Sequence, residues 1–209
     1  MLTIRNFSKC YGSHQVLAIE EVLFGQGVYW IQGENGAGKT SLFRSLAGII
    51  PCTGDVFFED NISLKGTPRL FRKLVNYSEA EPVYPGYLTS TDLIRFIGDA
   101  KEAPRHQQHE IAEKLGIHEF TDRACGTYSS GMLKKLSLAL AFLGNPKVII
   151  LDEPFVTLDA SARNDLSNLI LERLASGVIF LLSSHQTFDE HPITINEKFI
   201  IRNKTLVRI

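Results

Sequence analysis

Three continuous apolar runs punctuate the chain, at 28–31 (Val-Tyr-Trp-Ile), 148–151 (Val-Ile-Ile-Leu) and 178–182 (Val-Ile-Phe-Leu-Leu). A strand with one wet face alternates, whereas a strand covered on both faces does not. The runs therefore predict buried strands of a parallel sheet. Each ends in polar or glycine residues: Gln32-Gly33, Asp152-Glu153 and Ser183-Ser184-His185. Open parallel sheets bind ligands at the carboxyl ends of their strands. The pattern thus brings a glycine loop, two carboxylates and a histidine to one edge. Between the runs, mixed apolar and polar spacing predicts helices over 40–49, 92–99, 107–115, 130–143 and 160–174. The fourth carries Leu133, Leu136, Leu140 and Leu143 on one face and stops at Gly144-Asn145-Pro146. The ends differ: short alternating segments fill 2–31, and 198–209 reads as a hairpin around Asn203-Lys204. The expected architecture is α/β, with a parallel-sheet core, an antiparallel β layer from the two termini and a mainly helical insertion at about 80–145.

Composition narrows the function. The 209 residues, 44% hydrophobic and 22% charged, suffice for one sizeable core. Lys plus Arg (22) balance Asp plus Glu (23), a net charge of −1. That balance gives no electrostatic reason to expect a nucleic-acid or anionic-membrane binder. No apolar run approaches the ~18–20 residues of a membrane span, and the first residues, MLTIRNFSKCYG, lack a secretory pattern. Cys10, Cys52 and Cys125 are scattered and outside metal-ligand spacing, which reads as reduced thiols. His106, His109 and Glu110 lie in a charged, loop-like stretch and read as solvated surface rather than a metal site.

The chemistry concentrates in a few residues. Gly33-Glu34-Asn35-Gly36-Ala37-Gly38-Lys39-Thr40 matches GxxxxGK(S/T), between a predicted strand and a predicted helix. Glycines let backbone N–H groups approach phosphate oxygens, and the helix start presents its positive dipole end to the same anion. Lys39 can reach the β and γ phosphates, and the Thr40 hydroxyl can ligate Mg²⁺. Asp152, ending its strand, is placed for the Mg²⁺ shell, and Glu153 can polarise a water for attack on the γ-phosphate. The plainer reading of either acid is a cap for the next helix. His185 can donate to the γ-phosphate or simply be a polar strand end.

Taken in order, these motifs resemble the nucleotide-binding subunits of ATP-binding cassette (ABC) transporters over nearly the whole chain. Walker A is 33–40 followed by Ser41, and Tyr128-Ser129-Ser130-Gly131-Met132 looks like the signature segment. Walker B is 148–152 followed by Glu153, 155–159 ending at Asp159 matches the D-loop, and His185 matches the switch histidine. Tyr11 sits where the family stacks an aromatic residue on adenine, strand packing being the plainer alternative; Val16 falls in the same nucleotide-binding set. The resemblance implies the ABC ATPase fold, a P-loop NTPase core with β layer at 1–79 and 146–209 and a helical subdomain at 80–145. It implies ATP and Mg²⁺ as ligands, with Thr40 and Asp152 toward the metal. It also implies a head-to-tail pair of subunits, with Ser129, Ser130 and Gly131 of one facing the other's ATP. A separate integral membrane subunit would be driven by the pair, placing the chain in the cytoplasm at the inner face of the membrane. The strings LDEPF and SSHQ look like small bacterial exporter-type subunits. The alternative is a soluble ABC-type ATPase in an assembly role.

Two departures bear on this. Tyr128, Ser130 and Met132 stand where leucine, glycine and glutamine are usual. Residues 75–82 (VNYSEAEP) align with the Q-loop without a glutamine; Ala80 falls nearest that position, and Glu79 or Glu81 is a candidate substitute. Val83, Tyr84, Tyr87 and Leu88 are expected to border the groove for the membrane partner, or in part to pack into the helical layer.

Overall fold

The computed structural model describes residues 1–184 and 193–209. The chain opens with β1 (Leu2–Tyr11), β2 (His14–Phe24), β3 (Gly27–Gln32) and α1 (Lys39–Leu46). Next come β4 (Thr53–Phe58), β5 (Ile62–Ser63), α2 (Pro68–Leu74) and β6 (Val75–Ser78). Helices α3 (Ser90–Ala100), α4 (Arg105–Lys114) and α5 (Ser130–Phe142) then precede β7 (Val148–Leu151), α6 (Ala160–Ala175) and β8 (Ile179–Ser183). The chain ends in β9 (Glu197–Arg202) and β10 (Thr205–Arg208). No helix among the described residues is long and apolar enough to cross a membrane.

Two sheets result. One is antiparallel, in the order β2-β1-β4-β5; the other runs β10-β9-β3-β8-β7-β6, with β9, β3, β8, β7 and β6 parallel. The three apolar runs are β3, β7 and β8, side by side at the centre. Alternate side chains of these strands enter different cores. Tyr29, Ile31, Val148, Ile150, Ile179 and Leu181 pack toward the β layer with Leu42 and Phe43 of α1. Val28, Trp30, Ile149, Leu151, Phe180 and Leu182 pack with residues of α3 to α6. Burial on both faces explains why the runs do not alternate.

The C-terminal hairpin corrects the expected β layer. It belongs to the parallel sheet: β9 pairs in parallel with β3, from Tyr29↔Glu197 to Gln32↔Ile200, and β10 closes the edge. Without β9, the hydrogen-bonding edge of β3 would be buried and unpaired. Phe199 and Ile201 join the core shared by Tyr29 and Ile31. The antiparallel layer is completed instead by β4, which pairs with β1 from Leu2↔Phe58 to Ser8↔Thr53.

The helices between β6 and β7 are anchored by polar contacts. Thr89 and Asp92 form a reciprocal capping box at the start of α3. Asn76 on β6 donates from Nδ2 to the carbonyls of Ala141 (2.8 Å) and Leu143 (2.9 Å) at the end of α5. Lys101 donates to the carbonyls of Arg72 and Val75, and burial pushes its ammonium down to about 8. Burial also lowers the pKa of Lys39 and Lys134. Because these lysines give up protons more readily when folded, the unfolded chain binds more protons between about pH 8 and 10.5, and stability rises with pH across that window. Above about pH 10 the buried Tyr84 phenol, pushed up to about 12, acts the other way. The thermal midpoint should therefore climb from about pH 8 to about pH 10 and then level off or fall. Lys101→Met should flatten the climb, which calorimetry at several pH values checks.

Candidate functional site

Strand β3 delivers the chain into the loop at 33–38, where Gly36 (φ +80°) and Gly38 (φ +104°) take left-handed conformations. A Cβ on Gly38 would lie 2.8 Å from Val16 Cγ1, so glycine lets the loop rest on β2. Gly38 caps α1 without a side-chain bond, leaving the first-turn N–H groups open. Lys39, only 7% exposed, folds back to donate to the carbonyls of Gly33 (2.7 Å) and Glu34 (3.2 Å). Burial lowers its pKa, while Glu153 and Asp152 pull it up.

The carboxylate of Asp152 gathers three hydroxyls. Thr40 Oγ1 donates to Oδ2 at 2.6 Å, Tyr77 reaches the same oxygen at 3.4 Å, and Ser183 Oγ donates to Oδ1 at 2.5 Å. Desolvation, with the negative charge of Asp152 next, raises the Tyr77 pKa far above the ordinary phenol range, so the phenol stays a donor. Glu153 turns away through a positive φ of 49°, and its N–H donates to Ser183 Oγ at 2.9 Å. One hydroxyl at the end of β8 therefore holds the carboxylate of Asp152 and the backbone of Glu153. Ser183 and Tyr77 are site residues that sequence reasoning missed. Ser183's only signal was its place at the end of the third apolar run.

Lys39, Thr40, Asp152 and Glu153 share a cavity of about 640 Å³ with Tyr11 and Val16. Asn35, Gly36, Gly38 and Ser41 also border it; Ala37 lines the neighbouring pocket, and Gly33 contributes the carbonyl that holds Lys39. Tyr11 is 54% exposed. Its ring lies over Lys9 Nζ at 4.5 Å and its hydroxyl is 3.2 Å from Ser41 Oγ, so it is not packed away in the core. His185 lies outside the described residues.

The 129–131 segment borders a second cleft, of about 470 Å³, together with Arg123 and Asp159. Ser129 caps α5 by accepting from Met132 N–H at 3.2 Å. Ser130 is the first residue of that helix, in a conformation any residue adopts, so serine for glycine adds no strain there. Gly131 passes close to the loop before α6: a Cβ on it would lie 3.0 Å from Thr157 O. Asp159 caps α6 through Ala162 N–H (2.8 Å) and pairs with Lys135 (3.1 Å), and both contacts lower its pKa. Tyr128 points inward, its hydroxyl contacting the carbonyls of Phe120 and Arg123 and accepting from Ser90 N–H. Within one chain, then, the loop and the acids share one cavity, whereas the 129–131 segment borders a different cleft.

The ABC transporter family matches this chain over residues 22–156, across both the phosphate loop and the acidic strand end. The chain belongs to this family. An uncharacterized ABC transporter ATP-binding protein of Bacillus subtilis, YxlF, is 32% identical over 200 residues. The match covers 92% of this chain and 65% of that relative, so the chain spans about two thirds of its length. An ATP-binding subunit of an ABC transporter superposes with a TM-score of 0.86 at 24% identity, over 99% of this chain and 88% of the other. An ATP-binding cassette solved as a dimer in a post-hydrolysis state with ADP and Pi superposes at 0.83, with 17% identity, over 99% of this chain and 96% of the other. The fold is that of the ABC ATPases.

In this ABC domain the segment lacking a glutamine still reaches the phosphate cavity, through Ala80 and Glu81. Glu79 lies apart from it: its carboxylate faces Arg44 at 3.9 Å, and it lines a different groove. Of the two acids considered as substitutes, only Glu81 borders the cavity. The oxygen-only pair of Thr40 and Asp152 suits a hard cation. Among the described residues no three His, Cys, Asp or Glu side chains group as a metal cage. Mg²⁺ fits such a site, since it takes few protein ligands and completes its shell with phosphate and water.

Proposed function

We propose that this chain is the ATP-binding and ATP-hydrolysing subunit of an ABC transporter. The observation that carries the reading is the 2.6 Å bond between Thr40 and Asp152 on the wall of the cavity that also holds Lys39 and Glu153. It unites a phosphate-binding loop with an acidic strand end 112 residues away. ATP enters with its phosphates on the 33–40 loop and the start of α1, its adenine against Tyr11. Thr40 and Asp152 would hold Mg²⁺, which would supply charge neutralisation at the phosphates. Lys39 leaves its two carbonyls for the phosphates, and Glu153 takes the proton of the attacking water. The products are ADP and inorganic phosphate.

Two chains pair head to tail, so that Ser129, Ser130 and Gly131 at the start of α5 complete the partner's site; the open N–H groups of that helix start suit an anion. The structurally similar cassette captured as a dimer with ADP and Pi supports pairing of two chains. A membrane-spanning subunit docks on the groove of about 750 Å³ between α2, β6 and α3. Val83 (87% exposed) and Tyr84 line it, Tyr84 also packing on the helical core with Leu88, and Tyr87 is 82% exposed in the same loop. The chain then works at the inner face of the membrane. The transporter names of the relatives favour this over an assembly role.

The purified chain should release phosphate from ATP only with Mg²⁺, and EDTA should abolish turnover. Metal-independent turnover would overturn the assignment of Thr40 and Asp152. In cells, the chain should leave the membrane fraction when its integral partner is deleted.

A further inference from the structure

Lys134 is 1% exposed and lies in the first turns of α5. Its ammonium donates to the backbone carbonyls of Asp152 (2.7 Å), Glu79 (2.7 Å) and Ala80 (3.4 Å). Three protons meet three acceptors. A buried charge is costly, and a methionine would fill similar space without it. The contacts are therefore more than filler for the core.

Their placement gives the reason. Asp152 adjoins Glu153, and Ala80 adjoins Glu81; these residues line the nucleotide cavity from two different segments. Lys134 itself belongs to the helix that Ser129 caps, beside the second cleft. One ammonium thus joins both acidic walls of the cavity to the helix that faces the other subunit. A neighbouring tie, Ser78 Oγ to Ser137 Oγ at 3.0 Å with Glu79 N–H donating to Ser137 at 3.2 Å, links the same helix to β6; it meets Asp152 only through the backbone, where Asp152 N–H donates to Ser78 O at 2.9 Å, whereas Lys134 bonds Asp152 from α5 directly.

We propose that Lys134 is a positioning residue that locks residues 79–80 and the end of β7 to α5, so that nucleotide arrival in the cavity is felt at the 129–133 helix start. The inference rests on the nucleotide reading above. It places Lys134 outside contact with ATP: its loss should spare binding and impair what binding triggers.

The test compares wild type with Lys134→Met and Ser137→Ala. Calorimetry gives ATP affinity, steady-state kinetics give kcat and KM, and hydrogen exchange is followed with Mg²⁺ and ADP on chains that stay monomeric. In wild type, ADP should slow exchange at both 36–41 and 129–133. Lys134→Met should keep ATP affinity within about threefold and the protection at 36–41, lose the response at 129–133, and lower kcat at least tenfold. Ser137→Ala should behave as wild type in both readouts. If Lys134→Met does not fold, Lys134→Gln, which keeps two donors without the charge, should show the same signs. An unchanged kcat and an intact response at 129–133 would overturn the proposal. So would an equal loss in Ser137→Ala, or failure of both Lys134 variants to fold, since each makes Lys134 ordinary packing. Absent protection at 36–41 in wild type would instead remove the nucleotide reading itself.

Discussion

Glu153→Gln should bind ATP within a few-fold of wild type and lose turnover by about 1000-fold or more, roughly 4 kcal/mol of barrier. The backbone places Glu153 for this. Asp152 is held on both carboxylate oxygens by Thr40, Ser183 and Tyr77, so it is committed to the cation side of the site. Glu153, one residue on, is turned by its positive φ away from that network and into the same cavity. A left-handed non-glycine residue costs about 1–3 kcal/mol, a strain expected where a side chain must be aimed. Glutamine keeps the size and removes the proton acceptor. With hydrolysis blocked, ATP should stay between two chains, and size exclusion with ATP should show a dimer that wild type forms only transiently. Turnover within tenfold of wild type would assign the base to another group.

The central sheet was legible because its cause is local. Strands buried on both faces read as continuous apolar runs, and the centres of β3, β7 and β8 do so, polar residues entering only at the strand ends. The edges were not legible. Strand β6 reads Val-Asn-Tyr-Ser, and its Asn76 is buried because α5 ends with two carbonyls aimed at it. Nothing within four residues announces that. The C-terminal hairpin was recognisable as a hairpin, but its sheet was not. Pairing of β9 with β3 joins residues about 168 apart, and only the need to cover the edge of β3 decides it.

The site divides along the same line. The phosphate loop and the acid pair are contiguous segments whose chemistry is written in adjacent residues. Ser183, Tyr77 and Lys134 are single polar residues in otherwise ordinary strands or helices. Each takes its role from strand order: β6, β7 and β8 are neighbours, which puts Tyr77 and Ser183 on either side of Asp152. The missing glutamine is the converse case. The sequence posed Glu79 and Glu81 as equals, and the ion pair of Glu79 with Arg44 separates them.

Lys39→Met should weaken ATP binding by about 100-fold or more, roughly 2.7 kcal/mol, while leaving the fold intact. The ammonium now rests on two neutral carbonyls in a partly desolvated pocket, and its pKa is lowered accordingly. Phosphate oxygens offer it full negative charge, and charge-assisted hydrogen bonds contribute about 1.5–3 kcal/mol each. Without it, the repulsion of the incoming phosphates by Asp152 and Glu153 is opposed by one positive charge fewer. Methionine retains the stem packing, so the thermal midpoint without nucleotide should move little. The stabilisation that ATP confers by binding the folded state should nearly vanish. Glu153→Gln should retain that stabilisation in full. The two variants thus separate binding from chemistry within one cavity. If ATP raised the midpoint of Lys39→Met as much as that of Glu153→Gln, the nucleotide would have to bind elsewhere on the chain.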